Sequence, residues 1–144
     1  NASTRADSNE RKINRDRAIQ VVKKNASVFI TMAINNLFSE KAKIRFKDKI
    51  DVIREEALNT SLQGVVAALE GMKIRNDREV LLHFGPYPKM IITGEDDAIA
   101  SVTEIQDEVA QTEVTTHFLK SGHMTPLENE DEVIQLIQAF LKKK

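Results

Sequence analysis

The side chains of this sequence that could do chemistry lie mostly after Gly94. Asp96 and Asp97 follow the run KMIIT (residues 89–93) and Gly94, and His123 follows the run VTTHFL (residues 114–119) and Gly122. An imidazole can act as a general base near neutral pH, and a carboxylate beside it can fix its tautomer and stabilise its protonated form. Taken alone, Asp97 suits the capping or bracing of a loop as well as catalysis, and Asp96 is its adjacent rival. His123 taken alone suits a polar loop position as well as a base. His117 falls inside VTTHFL, where it reads as a residue packed on a strand face, and His83 ends a helix, where a cation is favoured. Three histidines without clustered spacing predict no metal site. Cysteine is absent, which removes thiolate nucleophiles, thiolate metal sites and disulfides together. No G-x-S-x-G turn and no Gly-rich phosphate loop occurs. The basic group Arg11, Lys12, Arg15 and Arg17 has Glu10 and Asp16 among it and reads as a solvated helix face rather than a nucleic-acid site.

The elements that must position these residues follow from periodicity. Asp7 and Glu10 make an N-terminal capping pattern for a helix carrying Ile13, Ala18, Ile19 and Val22. The period restarts near residues 25–27, and Phe29, Met32, Ala33 and Leu37 then form one stripe. A helix from Phe46 to Leu58 carries Ile50, Ile53 and Ala57. Another, starting at Thr60, carries Leu62, Val65, Val66 and Leu69 and is expected to end at Gly71 through a positive φ. A short helix near Asp77 to His83 is stopped by Gly85, Pro86 and Pro88.

From there the pattern alternates. KMIIT is short, apolar and β-branched and suits a strand buried on both faces of a parallel sheet, and VTTHFL is a second strand. Between them Ser101 and Glu104 form a capping box for a helix with Val102, Ile105 and Val109. Asn129 with Glu132 caps a last helix, in which Val133, Ile134, Ile137, Phe140 and Leu141 make the buried stripe and Lys142 to Lys144 sit at the negative end of the dipole. The chain therefore divides into residues 1–85, mostly helical, and residues 86–144, a β-α-β-α unit with two parallel strands. Two parallel strands do not make a stable sheet alone, so association with another copy through an exposed strand edge or apolar face is expected.

Composition narrows the class further. The 144 residues suit one domain, with 41% apolar and 30% charged residues, a balance that argues against disorder. Lys+Arg is 21 against Asp+Glu 22, a net charge of -1, so neither nucleic acid nor an anionic membrane is an expected partner. No apolar run approaches the ~20 residues that span a bilayer, and the polar N-terminus is unlike a signal peptide. A cytoplasmic location is expected, in keeping with the missing cysteines. The leading Asn1-Ala2 reads as the scar of an expression tag.

The segments PKMIITGEDDAIA and HFLKSGHMTPLENEDEVIQLIQAFLK together resemble the C-terminal end of the α/β-hydrolase fold. In that family the acid of a Ser-His-Asp triad follows the penultimate strand and the histidine follows the last. The resemblance implies that Asp97, in Gly94-Glu95-Asp96-Asp97, is the acid, and that His123, in Ser121-Gly122-His123-Met124-Thr125-Pro126, is the base. Upstream, ALEGMKIRND (residues 68–77) looks like a return from cap to core, which makes the helices from about Asp7 to Thr60 a cap. Met72, Tyr87 and Met124 are then candidates to border a substrate pocket. No cofactor is implied. The nucleophile and oxyanion hole belong to earlier strands in that family, so the resemblance implies the C-terminal part of an ester or amide hydrolase, inactive alone. The other reading is a non-catalytic, self-associating helical module with a relic hydrolase fold.

Overall fold

Side-chain oxygens start most of the helices in the computed structural model, which describes residues 3–142. Asn1-Ala2 and the last two residues of the basic C-terminus, Lys143 and Lys144, lie outside the described residues. Ser8 caps α1 (Asn9–Lys24), its Oγ accepting from the Arg11 N–H. Asp7 is therefore not the cap: its buried carboxylate takes Arg15 at 3.0 Å and Arg75 at 3.2 Å. Asn25 caps α2 (Ala26–Asn35) and Ser39 caps α3 (Glu40–Arg45). At six residues with only Ala42 buried, α3 is too short for periodicity to reveal. Phe46 separates it from α4 (Lys47–Leu58), and Ser61, one residue after the expected start, caps α5 (Leu62–Ile74).

Gly71 does not end α5. The helix runs through it to Ile74, and no described glycine has a positive φ. A Cβ at Gly71 would meet nothing within 4 Å, so Gly71→Ala is expected to stabilise the fold by about 0.5–1 kcal/mol, read as a raised thermal midpoint.

After α6 (Val80–Phe84), Gly85 and the two prolines lead into β1 (Met90–Gly94). The capping box of Ser101 and Glu104 opens α7 (Val102–Glu108), and β2 (Thr115–Leu119) returns parallel to β1 with Met90 opposite Thr115 and Gly94 opposite Leu119. α8 (Thr125–Glu128) and α9 (Glu130–Lys142) close the chain. The fold is thus a helical stretch followed by an α/β segment around a two-stranded parallel sheet. One apolar cluster, Ile19, Val22 and Leu69, joins α1 to α5, with Phe29 of α2 against it; a second, Phe38, Ala42 and Ile50, joins α3 and α4 to Met124 and Leu127. No described helix is long and apolar enough to cross a membrane.

Two expectations about burial are corrected. The strands are half-buried over most of their length rather than covered on both faces. On α9 only Val133 of the expected stripe is buried, whereas Ile134, Ile137 and Leu141 are exposed at 45%, 42% and 69%. The stripe has helical spacing, but among the described residues too few strands are present to lie beneath it. Nor does the Asn129 side chain accept from the start of α9: its Nδ2 reaches Glu132 at 3.5 Å, and its Oδ1 is buried without a partner among the described residues.

Candidate active site

The turns that leave β1 and β2 are joined by backbone hydrogen bonds: the Glu95 N–H donates to Leu119 O at 2.7 Å and the Asp96 N–H to Ser121 O at 2.9 Å. This close approach needs Gly94, because a Cβ there would lie 2.2 Å from Ser121 O and 2.3 Å from Gly122 O. The chain then turns and buries Asp97 while leaving Asp96 exposed. Asp97 Oδ1 accepts from the Ile99 N–H at 2.7 Å and the Ala100 N–H at 3.0 Å, bracing its own loop. Its Oδ2 lies 2.9 Å from His123 Nδ1. One oxygen of Asp97 therefore braces its own loop, and the other meets the His123 imidazole.

When Asp97 is ionised its oxygen can only accept, so in that state the contact holds the imidazole proton on Nδ1 and leaves the Nε2 lone pair to take a proton. Among the described residues no hydrogen bond occupies Nε2. The Asp97 side chain is fully shielded from solvent and that of His123 is 23% exposed.

The loop carrying His123 is held against the helical segment from several sides. The Met124 N–H donates to Leu37 O at 3.0 Å, and a Cβ on Gly122 would lie 2.6 Å from Ser39 N. Ser121 Oγ donates to Thr125 Oγ1, which donates to Gly122 O. Fully buried and so engaged, the Ser121 hydroxyl is part of the scaffold of the loop. Glu128 accepts from the Gly122 N–H at 3.0 Å, the Ser39 N–H at 3.2 Å and the Ser39 hydroxyl at 2.6 Å, and is itself buried. Sequence reasoning did not find this residue, because Glu128 stands beside the exposed acids Glu130, Asp131 and Glu132 with no pattern to set it apart. Glu128→Ala removes the carboxylate that accepts from the Ser39 N–H, the Ser39 hydroxyl and the Gly122 N–H. It is expected to lower stability by about 2–4 kcal/mol, with Glu128→Gln losing less, as measured by denaturant unfolding.

His123 also lines a cavity of about 610 Å³ between α1, α2 and α5. Its walls are apolar at Phe29, Met32, Leu69 and Met72 and polar at Asn14, Arg11 and Arg15. Met72 is among the lining residues. Tyr87 and Met124 are not among the lining residues: Tyr87 is 52% exposed with the Lys89 ammonium over its ring, and Met124 packs in the Phe38 cluster. The basic face of α1 also differs from its expected role. Lys12 and Arg17 are exposed, but Arg11 and Arg15, which share a face with Asn14, turn to the cavity. His117 is half-buried in β2 opposite Ile92, and His83 is exposed near the end of α6. Among the described residues no group of three or more His, Cys, Asp or Glu side chains could hold a metal ion.

The solved structures to which this one is similar include three enzymes. An esterase from Thermogutta terrifontis, in a malate-bound form, matches 97% of the chain at 30% identity with a TM-score of 0.80. An enol-lactonase from Burkholderia xenovorans matches 98% at 19% identity with a TM-score of 0.81, and an esterase from Exiguobacterium antarcticum matches 92% at 13% identity with a TM-score of 0.77. The chain spans about half the length of each, 53%, 54% and 48% respectively. No protein-family profile matches the sequence, and no curated protein matches it significantly.

Proposed function

Starting from a chain that carries the C-terminal half of the α/β-hydrolase fold, we propose that Asp97 and His123 are the acid and base of a Ser-His-Asp triad that hydrolyses an ester or amide. The observation that carries this reading is the 2.9 Å contact from Asp97 Oδ2 to His123 Nδ1, with the same imidazole lining the cavity. In the forward step Nε2 takes the proton of the serine hydroxyl as it attacks the carbonyl carbon, and Asp97 stabilises the imidazolium that results. The imidazolium then returns the proton to the leaving oxygen or nitrogen as the acyl-enzyme forms. Water repeats the sequence to release the acid. An ester is favoured over an amide because two of the similar structures are esterases.

The serine and the oxyanion donors are assigned to a partner half. None of the 144 residues forms a G-x-S-x-G turn, and the similar enzymes are about twice as long. In this reading residues 1–85 are the cap and its return, residues 86–144 complete the catalytic sheet, and no cofactor takes part. The missing cysteines fit a reducing cytoplasm. The chain alone should not turn over p-nitrophenyl esters above its own His123→Ala variant. Combining it with a half that carries the nucleophile turn should create that activity. Turnover by the 144 residues alone, lost in His123→Ala, would contradict the division.

A second reading, self-association, is favoured by the exposed face of α9 and the half-buried strands. A homo-oligomer in light scattering at micromolar concentration supports it, and a monomer counts against it.

A further inference from the structure

The polar residues of the cavity all carry donors. Arg11, Asn14, Arg15 and Ala18 recur at i, i+3, i+4 and i+7, so one face of α1 brings two guanidinium groups and an amide to a chamber whose lining includes no Asp or Glu. The two arginines differ. Arg11 donates from Nη2 to Ile99 O at 3.2 Å and to Glu104 at 2.8 Å. Arg15 donates only from Nε, to Asp7 at 3.0 Å, and its Nη1 and Nη2 make no hydrogen bond among the described residues. Asp7 also takes Arg75, which interacts with Asp77 as well. A guanidinium with unused, coplanar donors therefore lines the same cavity as His123.

We propose that the substrate is an ester or lactone bearing a second, ionised carboxylate remote from the scissile carbonyl, held by Arg15 with Asn14 while its hydrocarbon lies on Phe29, Met32, Leu69 and Met72. This rests on the cavity being the substrate site of the hydrolase proposed above. A carboxylate entering a partly desolvated chamber needs a paired cation, and the fork of a guanidinium meets its two oxygens at once. A neutral substrate would leave the Arg15 donors without an anionic acceptor. The cavity volume suits a small molecule of this kind.

The test is an NMR titration of the chain with monomethyl adipate and, separately, with its uncharged dimethyl ester. The monoanion is expected to bind at least about tenfold more tightly, to shift the Arg15 Nε–H and His123 signals, and to lose its advantage as ionic strength rises. Arg15→Gln should abolish the preference and Arg15→Lys keep part of it. Lys12→Gln, exposed on the same helix, should leave it unchanged. Equal or tighter binding of the diester overturns the proposal, and so does a preference that survives in Arg15→Gln. The comparison on the unsubstituted chain needs no variant, so unfolding of Arg15→Gln would not blunt it. Loss of the anion preference beside His123-dependent hydrolysis would sink this inference alone. A retained preference with no hydrolysis by the combined halves would instead sink the triad.

Discussion

Asp97→Asn is expected to lower kcat of the combined hydrolase by roughly 10,000-fold while leaving the fold in place. The separation of the two effects comes from the two oxygens of Asp97. Asn keeps an Oδ1 that can accept from Ile99 and Ala100, so the loop stays braced. Its amide nitrogen, however, donates toward His123 Nδ1 where the carboxylate accepted. The imidazole then carries its proton on Nε2 and cannot take one from a hydroxyl. KM should change little, since Asp97 does not line the cavity. His123→Ala should lose activity on the same scale. Parallel measurements of kcat and thermal midpoint check both variants. A large fall in midpoint with a proportionate fall in activity would mean that Asp97 acts only as a brace.

The second large effect is on stability. Gly94→Ala places a Cβ 2.2 Å from Ser121 O and 2.3 Å from Gly122 O. Both are backbone atoms, and the loop that holds them is pinned by Glu128, Thr125 and Leu37, so no side chain can swing away to make room. The turns after β1 and β2 must separate, at a cost of about 3 kcal/mol or more and a fall in midpoint of roughly 10 °C. Activity should fall further than stability, because the same separation draws Asp97 from His123. Thermal unfolding followed at two wavelengths, with activity assayed well below the midpoint, distinguishes the two losses.

What could be read in advance was local. The Ser101–Glu104 capping box, the two β-branched runs and the breaks at Gly85 and Pro86 are short-range patterns, and the elements they imply are present. The pairing of Asp97 with His123 came from a resemblance in two loops. Neither residue is singled out by periodicity, and the contact depends on the β1–β2 register. What failed depended on the surroundings of a residue. Gly71 has the composition of a helix stop, but α5 continues to Ile74. Asp7 looks like a cap, yet two arginines claim its carboxylate and Ser8 takes over. Arg11 and Arg15 are indistinguishable in the sequence from Lys12 and Arg17, because only the placement of α2 and α5 decides which side of α1 meets a cavity. Glu128 gains its partners from Ser39 and Gly122, which no spacing rule connects.

The most direct measurement of the central claim is proton NMR of the His123 imidazole in the chain as it stands. The account predicts a single, strongly downfield Nδ1–H resonance, slowed in exchange by its contact with Asp97 and absent from both Asp97→Asn and His123→Ala. An imidazole in the Nε2–H tautomer, unaffected by Asp97→Asn, would contradict it.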